Sequence, residues 1–126
     1  MNVLRHMVEA VKTGGLVLDL QVIRPNPQVE VGGRFICELD GEPLFAKADA
    51  AATAVDAAVA AGQLIEEVVD DHDVLMHYTD GAHLVDDWKR SQREPLGKTT
   101  TELRDIARPC QTRERCRLRR LRVTRS

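Results

Sequence analysis

The sequence has few aromatic residues, which make up 3% of its 126 residues. It therefore offers few rings on which nucleic-acid bases could stack. It also lacks a secretory leader and an apolar run of membrane-spanning length. Its three cysteines have no C-x-x-C spacing, so neither a zinc signature nor a disulfide framework is indicated. We expect a cytoplasmic chain with no metal site and no membrane partner.

Charge is abundant, at 30% of residues, and it is unevenly placed although the net charge is only −2. Residues 66 to 87 are rich in Asp and Glu, and the last fourteen residues are rich in Arg. Such an arginine cluster is one of the signs of a nucleic-acid surface. The alternative is that the two segments pair as strands and neutralise each other. The second interpretation needs no outside partner, and we expect no nucleic acid.

The stretch from Leu16 to Ile23 is the most apolar segment, with six large apolar residues among its eight. Gly14-Gly15 precedes it and ends an amphipathic helical pattern over the first twelve residues. A nearly continuous apolar run between turn residues is typical of a strand covered on both faces, as in parallel α/β sheets. We therefore predict an interior strand here, ended by Arg24-Pro25-Asn26-Pro27.

The remaining segments show the apolar pattern of a strand in some places and that of a helix in others. Residues 28–45 read as a small β-hairpin insertion at the surface, with turn signals at Gly32-Gly33 and Asp40-Gly41. Thr99 and Glu102 have capping-box spacing inside a helical insertion over residues 79–109. The other elements are predicted as an Ala-rich helix over Lys47–Ala61 closed by Gly62, and strands over Leu64–Tyr78 and Gln111–Val123.

The run Val11-Lys12-Thr13-Gly14-Gly15-Leu16 resembles the "L-K-P-G-G" segment that leads into the fifth strand of class I S-adenosylmethionine-dependent methyltransferases, with Thr13 in place of the proline. The order of elements resembles the C-terminal half of that family. The resemblance implies an α/β fold, a partial Rossmann-like sheet with a parallel crossover and a C-terminal antiparallel strand pair. Residues 1–126 would form a single half-domain carrying the hairpin insertion.

The cofactor cradle of this family is a Gly-rich turn between a strand and a helix, and this chain has none. Gly14-Gly15 lies between helix and strand, and Gly32-Gly33 leads into a strand. We expect no cofactor-binding residues in this chain, and S-adenosylmethionine only in a completed assembly. The missing N-terminal half, or a second copy in a homo-oligomer, would pair along the edge of Leu16–Ile23. Whether the chain belongs to an enzyme stays open, and the alternative is a small α/β interaction or regulatory protein.

Four polar residues at or after the central strand would face a substrate pocket if the family pocket is partly retained. Asp19 would lie deeper, with Gln21, Arg24 and Asn26 at the rim. The alternative is an ordinary turn that ends a strand. The sequence identifies no catalytic residue, since transfer of a methyl group depends mainly on proximity and orientation.

Overall fold

The computed structural model describes residues 10–91 and 94–124, without the side chains of residues 89–91. This part of the chain contains six strands and three helices. The strands are β1 (Leu16–Val22), β2 (Gln28–Val31), β3 (Arg34–Leu39), β4 (Leu64–Tyr78), β5 (Pro95–Leu96) and β6 (Cys110–Val123). The helices are α1 (Glu42–Ala60), α2 (Gly81–Ser91) and α3 (Thr100–Arg104). The amphipathic helix predicted at the N-terminus lies, over residues 1–9, outside the described residues.

The strands form a six-stranded antiparallel sheet in the order β1-β6-β2-β3-β5, with β4 also paired to β6. β1 pairs with β6 in a register that runs from Leu16 opposite Arg122 to Val22 opposite Cys116. The expected Rossmann-like sheet with a parallel crossover is therefore not supported, because the sheet is antiparallel. The reason is that the long C-terminal strand lies directly beside β1, at the edge where a parallel neighbour was expected. The predicted antiparallel pair formed by β4 and β6 is confirmed.

The chain divides into two compact units. Unit 1 comprises the described residues of Met1–Ile23, Leu44–His72 and Cys116–Ser126, and unit 2 comprises Arg24–Pro43 and the described residues of Asp73–Arg115. The core of unit 1 is formed where α1 packs on the strands. Its buried residues are Val17, Val55, Ala58, Leu64, Leu121 and Val123. These residues come from β1, α1, β4 and β6, so α1 covers one face of three strands.

Helix α1 ends as the sequence predicts. Gly62 has φ of +76°, its N–H donates to the carbonyl of Val59, and the N–H of Gln63 donates to the carbonyl of Ala58. These two bonds form the Schellman arrangement that a left-handed glycine permits. The start of α1 differs from the prediction, because Asp40 accepts a bond from the Glu42 N–H at 3.0 Å and so begins the helix early. Asp40-Gly41 is therefore a helix start and not the hairpin turn that was expected.

The prediction that Leu16–Ile23 is covered on both faces is wrong. Leu16, Leu18 and Leu20 are 46%, 60% and 56% exposed, whereas Val17 is 3% exposed. Successive residues of a strand point to opposite faces, and α1 packs on the face that carries Val17. The apolar run thus has one buried face and one exposed row of leucines.

Unit 2 is built around the β2–β3 hairpin, which turns at Gly32 and Gly33 with φ of +57° and +79°. The hairpin is part of a core and not a surface excursion, because Val29 and Leu39 are fully buried in a cluster with residues of α2 and α3. β2 continues the sheet by pairing with the start of β6. The capping box predicted for α3 is confirmed, with Thr99 and Glu102 bonded in both directions.

None of the helices in the described ranges 10–91 and 94–124 combines the length and the apolar character needed to cross a bilayer.

Candidate functional site

Strand β1 places two of the predicted site residues in a cavity of unit 1. Asp19 and Gln21 alternate with the exposed leucines, so they share the face of Val17, and the Gln21 amide donates to Asp19 Oδ1 at 3.0 Å. The cavity measures about 350 Å³, within the range that small ligands occupy. We call it the α1 cavity, since the middle of α1, between Ala48 and Asp56, forms its opposite wall.

The wall supplied by α1 combines small and acidic residues. The side chains of Ala48 and Ala52 are too short to fill the space. Asp49 and Asp56 lie about one helical turn before and after Ala52 on the same lining. β4 adds Glu66. The methyl side chains of an alanine-rich helix do not fill the space between the helix and the sheet. A cavity remains there, because only a larger side chain would restore close packing.

Two arginines of β6 complete the α1 cavity. Arg119 and Arg117 lie opposite Asp19 and Gln21 in the strand register. The Arg119 side chain is only 11% exposed and joins Asp56 at 2.9 Å to Glu66 at 2.5 Å. It thereby ties α1, β4 and β6 together across the cavity.

Arg117 also has a carboxylate partner, since it donates to both carboxylate oxygens of Asp71 at 2.7 and 2.9 Å. The bidentate geometry is the strong form of an arginine–carboxylate pair. Both guanidinium groups are bound to carboxylates, and the lining as a whole carries more acidic than basic side chains, namely Asp19, Asp49, Asp56 and Glu66 against Arg117 and Arg119. The α1 cavity therefore suits a neutral or positively charged group, and its lining includes no serine, cysteine, histidine or lysine that could act as a nucleophile.

The other two predicted site residues belong to unit 2 and have structural partners there. Arg24 pairs with Glu42 at 3.4 Å on the surface. Asn26 accepts a bond from the Gly41 N–H at 3.0 Å and donates to Glu38 at 3.3 Å. These bonds hold the turn after β1 against the segment that leads into α1. The structure thus brings Asp19 and Gln21 together in a cavity, and it gives Arg24 and Asn26 turn-stabilising contacts.

A second cavity, also of about 350 Å³, lies in unit 2. We call it the hairpin cavity, because the Gly32-Gly33 turn forms one side, and Arg108 and Pro109 with the first two residues of β6 form the other. The sequence analysis did not identify it. The one available signal was the Gly32-Gly33 turn, since a glycine pair leaves space beside the backbone that any other side chain would occupy.

In the described part of the chain, the cysteines and histidines are not grouped as a metal site, and two of the cysteines are not activated as nucleophiles. Cys37, Cys110 and Cys116 are buried as free thiols, and burial raises the pKa of the Cys37 and Cys110 thiols. A raised pKa disfavours the thiolate, which is the nucleophilic form. Within the described residues there is no cluster of three or more His, Cys, Asp or Glu side chains suited to a metal ion.

The arginines of β6 pair with the acidic segment of β4, as the sequence suggested. In unit 1 Arg120 and Arg122 both bind Glu67, at 3.3 and 2.8 Å. In unit 2 Arg113 and Arg115 both bind Asp73, at 3.0 and 3.1 Å. A phosphate group would have to displace these carboxylates to contact the same guanidinium groups.

No protein-family model, curated protein or solved structure matches this chain. The functional argument therefore rests on the geometry of the two units.

Proposed function

We propose that this chain is a methyltransferase-like half-domain that acts by assembly. In this view it is not catalytic alone, and a further strand from another polypeptide joins it along β1. The observation that carries the proposal is the free edge of β1. In the described part of the chain β6 is the only strand paired with it, which leaves a row of backbone N–H and C=O groups without strand partners.

The two outer strands of unit 1 differ in how their edges are protected. Between Leu64 and His72, β4 carries four carboxylates, and inward or edge charges of this kind discourage pairing with another chain. β1 has seven residues with no lysine and no proline, and its single charge is Asp19. An apolar edge with a single charge favours addition of a strand. The exposed leucines of β1 would extend the contact beyond the backbone.

The relative directions of the strands support the resemblance to a methyltransferase half. β1 and β4 are both antiparallel to β6, so they run in the same direction with β6 between them. The chain passes from one to the other through α1, which packs on the sheet. The antiparallel pairing of β4 with β6 is the part of this arrangement that agrees with what the resemblance implies for the closing strands of that sheet.

The cofactor would belong to the other half of the assembly. The two glycine pairs of this chain lie before β1 and between β2 and β3, and neither precedes a helix whose first N–H groups could face a ligand. We therefore expect the chain alone not to bind S-adenosylmethionine, and we expect an assembly in the cytoplasm.

A small interaction protein without methyl transfer is the second candidate. It is favoured by the second hydrophobic cluster, because unit 2 buries its own set of large residues, such as Leu39 and Trp88, around the hairpin. A chain with complete cores can be stable without a missing half. In this case too, β1 would be the surface at which a partner binds.

The test combines light scattering with calorimetry. The wild-type chain should gain mass with concentration, and Leu18→Lys should remove that gain, because it puts a charge on the exposed face of the β1 edge. Phe35→Lys is the matched control, since Phe35 is equally exposed, at 57%, but lies on β3. A wild-type chain that remains monomeric, or a Leu18→Lys variant that still associates, would contradict self-association along β1.

Titration with S-adenosylmethionine separates the half-domain from a complete enzyme. We expect no heat of binding for the chain alone. Micromolar binding would show that the cofactor site is already present and would remove the reason for a missing half.

A further inference from the structure

We propose that the hairpin cavity of unit 2 binds a small oxyanion, the carboxylate or phosphate group of a small molecule, through Arg108. The cavity of about 350 Å³ is lined by Gly32, Gly33, Tyr78, Arg108 and Pro109, among others. Its size suits one small ligand. This inference concerns a different unit from the β1 edge and does not depend on the proposed assembly.

The one carboxylate that lines the hairpin cavity is already neutralised. Glu30 accepts bonds from Gln111 Nε2 at 2.7 Å and from Arg113 Nε at 3.1 Å. Arg113, followed by Gln111, holds the pKa of Glu30 below its usual range. The Glu30 side chain is only 12% exposed, so its charge is directed to β6 and not to the cavity.

Arg108 is the unneutralised charge of this cavity. It makes no hydrogen bond or ion pair with any residue in the described ranges 10–91 and 94–124. Its guanidinium lies over the hairpin turn, because a methyl group added at Gly32 would meet Arg108 Nη2 at 3.3 Å. Glycine at this position keeps the approach open. All the guanidinium N–H groups remain available to a ligand.

The chemistry of the lining selects an oxyanion. A planar guanidinium presents paired N–H donors in the geometry of carboxylate and phosphate oxygens, and a cation would be repelled by it. The buried ring of Tyr78 and the ring of Pro109 offer an apolar wall for the rest of the ligand. The Cys110 thiol on the same lining is buried and has a raised pKa, so the site is suited to binding and not to covalent chemistry.

The experiment is an NMR titration of the full chain, followed through the amide signals of Gly32, Gly33 and Gln111. The probes are inorganic phosphate, phenyl phosphate and benzoate. We expect saturable shifts at these amides, with a phenyl-bearing probe binding more tightly than inorganic phosphate because its ring covers Tyr78 and Pro109. Phenyl phosphate and benzoate compared with each other decide whether the site prefers phosphate or carboxylate.

Two variants make the test specific. Arg108→Gln should weaken binding at least about tenfold, since a charge-assisted hydrogen bond is lost and no structural contact is. Arg34→Gln is the matched control, because it removes an exposed arginine of the same hairpin that does not line the cavity, and it should bind as the wild type does. Shifts that grow linearly without saturation, or equal affinity in Arg108→Gln, would overturn the proposal.

Discussion

Gly81→Ala tests how tightly the helices of unit 2 are packed. Gly81 begins α2, and its N–H donates to the carbonyl of Ile106 at 2.8 Å. A Cβ at this position would lie 1.7 Å from the carbonyl oxygen of Leu103. The two backbones would have to separate by about 1.7 Å to restore an ordinary contact of 3.4 Å. Because the obstructing atom belongs to the backbone of α3, no side-chain rotation can relieve the clash.

The expected loss of stability follows from these contacts. Overpacking against a rigid group costs about 3 kcal/mol, and the hydrogen bond to Ile106 is worth about 1 kcal/mol. The higher helix propensity of alanine returns at most about 1 kcal/mol. The net destabilisation is therefore about 3 kcal/mol, a large part of the stability of a small domain. With the usual dependence on denaturant, the urea midpoint should fall by about 1–3 M.

The assay is urea unfolding followed by the fluorescence of Trp88. This residue is the single tryptophan of the chain and is 3% exposed in the core of unit 2, so its signal reports on the unit that Gly81 perturbs. Gly62→Ala is the control, because its Cβ would meet no atom within 4 Å and only its positive φ is penalised, by about 1 kcal/mol. A Gly81→Ala variant as stable as Gly62→Ala would refute the reasoning.

Two further predictions concern ionisable groups. Because burial raises the pKa of Cys37 and Cys110, both thiols should react with Ellman's reagent only as the chain unfolds, and rapid labelling of the native protein at neutral pH would contradict their burial. Arginine partners lower the pKa of Glu30 and Asp73, Arg113 being the first cause in each. The stability that these carboxylates provide is fully present above their usual pKa range and is lost as the pH falls below that range and through their lowered folded-state pKa values. The urea midpoint should therefore drop between pH 6 and about pH 3, and Glu30→Gln should make that drop smaller; an unchanged drop would argue against the role of Glu30.

The local elements were predictable because their signals are chemical and short in range. Gly62 ended α1 as expected, and Thr99 with Glu102 capped α3. The bounds of β4, Leu64–Tyr78, match the prediction. Asp40-Gly41 shows the limit of such signals. The same dipeptide can turn a hairpin or begin a helix, and here the N–H of Glu42 binds Asp40.

The sequence could not reveal which faces of β1 are covered. Leucines at alternate positions look alike in an apolar run whether a second layer covers them or not. The sequence analysis named Asp19 and Gln21 as pocket residues, but it did not name the arginines that lie beside them. Arg117 and Arg119 lie about a hundred residues away in the chain and reach the α1 cavity through the register of β1 with β6. No local sequence pattern specifies which residues of two such distant strands lie opposite each other.

The distribution of charge in unit 1 connects its stability with its proposed partner. The acidic side chains of β4 are the counterions of β6, and charges on an outer strand are a general way to discourage pairing with another chain. An ion pair at the surface contributes little to stability, so repeated carboxylates along one strand are better explained as protection against unwanted pairing. β1, on the other side of β6, has no such protection and exposes Leu18. β4 also exposes Ile65, Val68 and Val69 beside its carboxylates, so the difference between the two outer strands lies in their charge, and the low charge of β1 makes it the edge at which a partner should be sought.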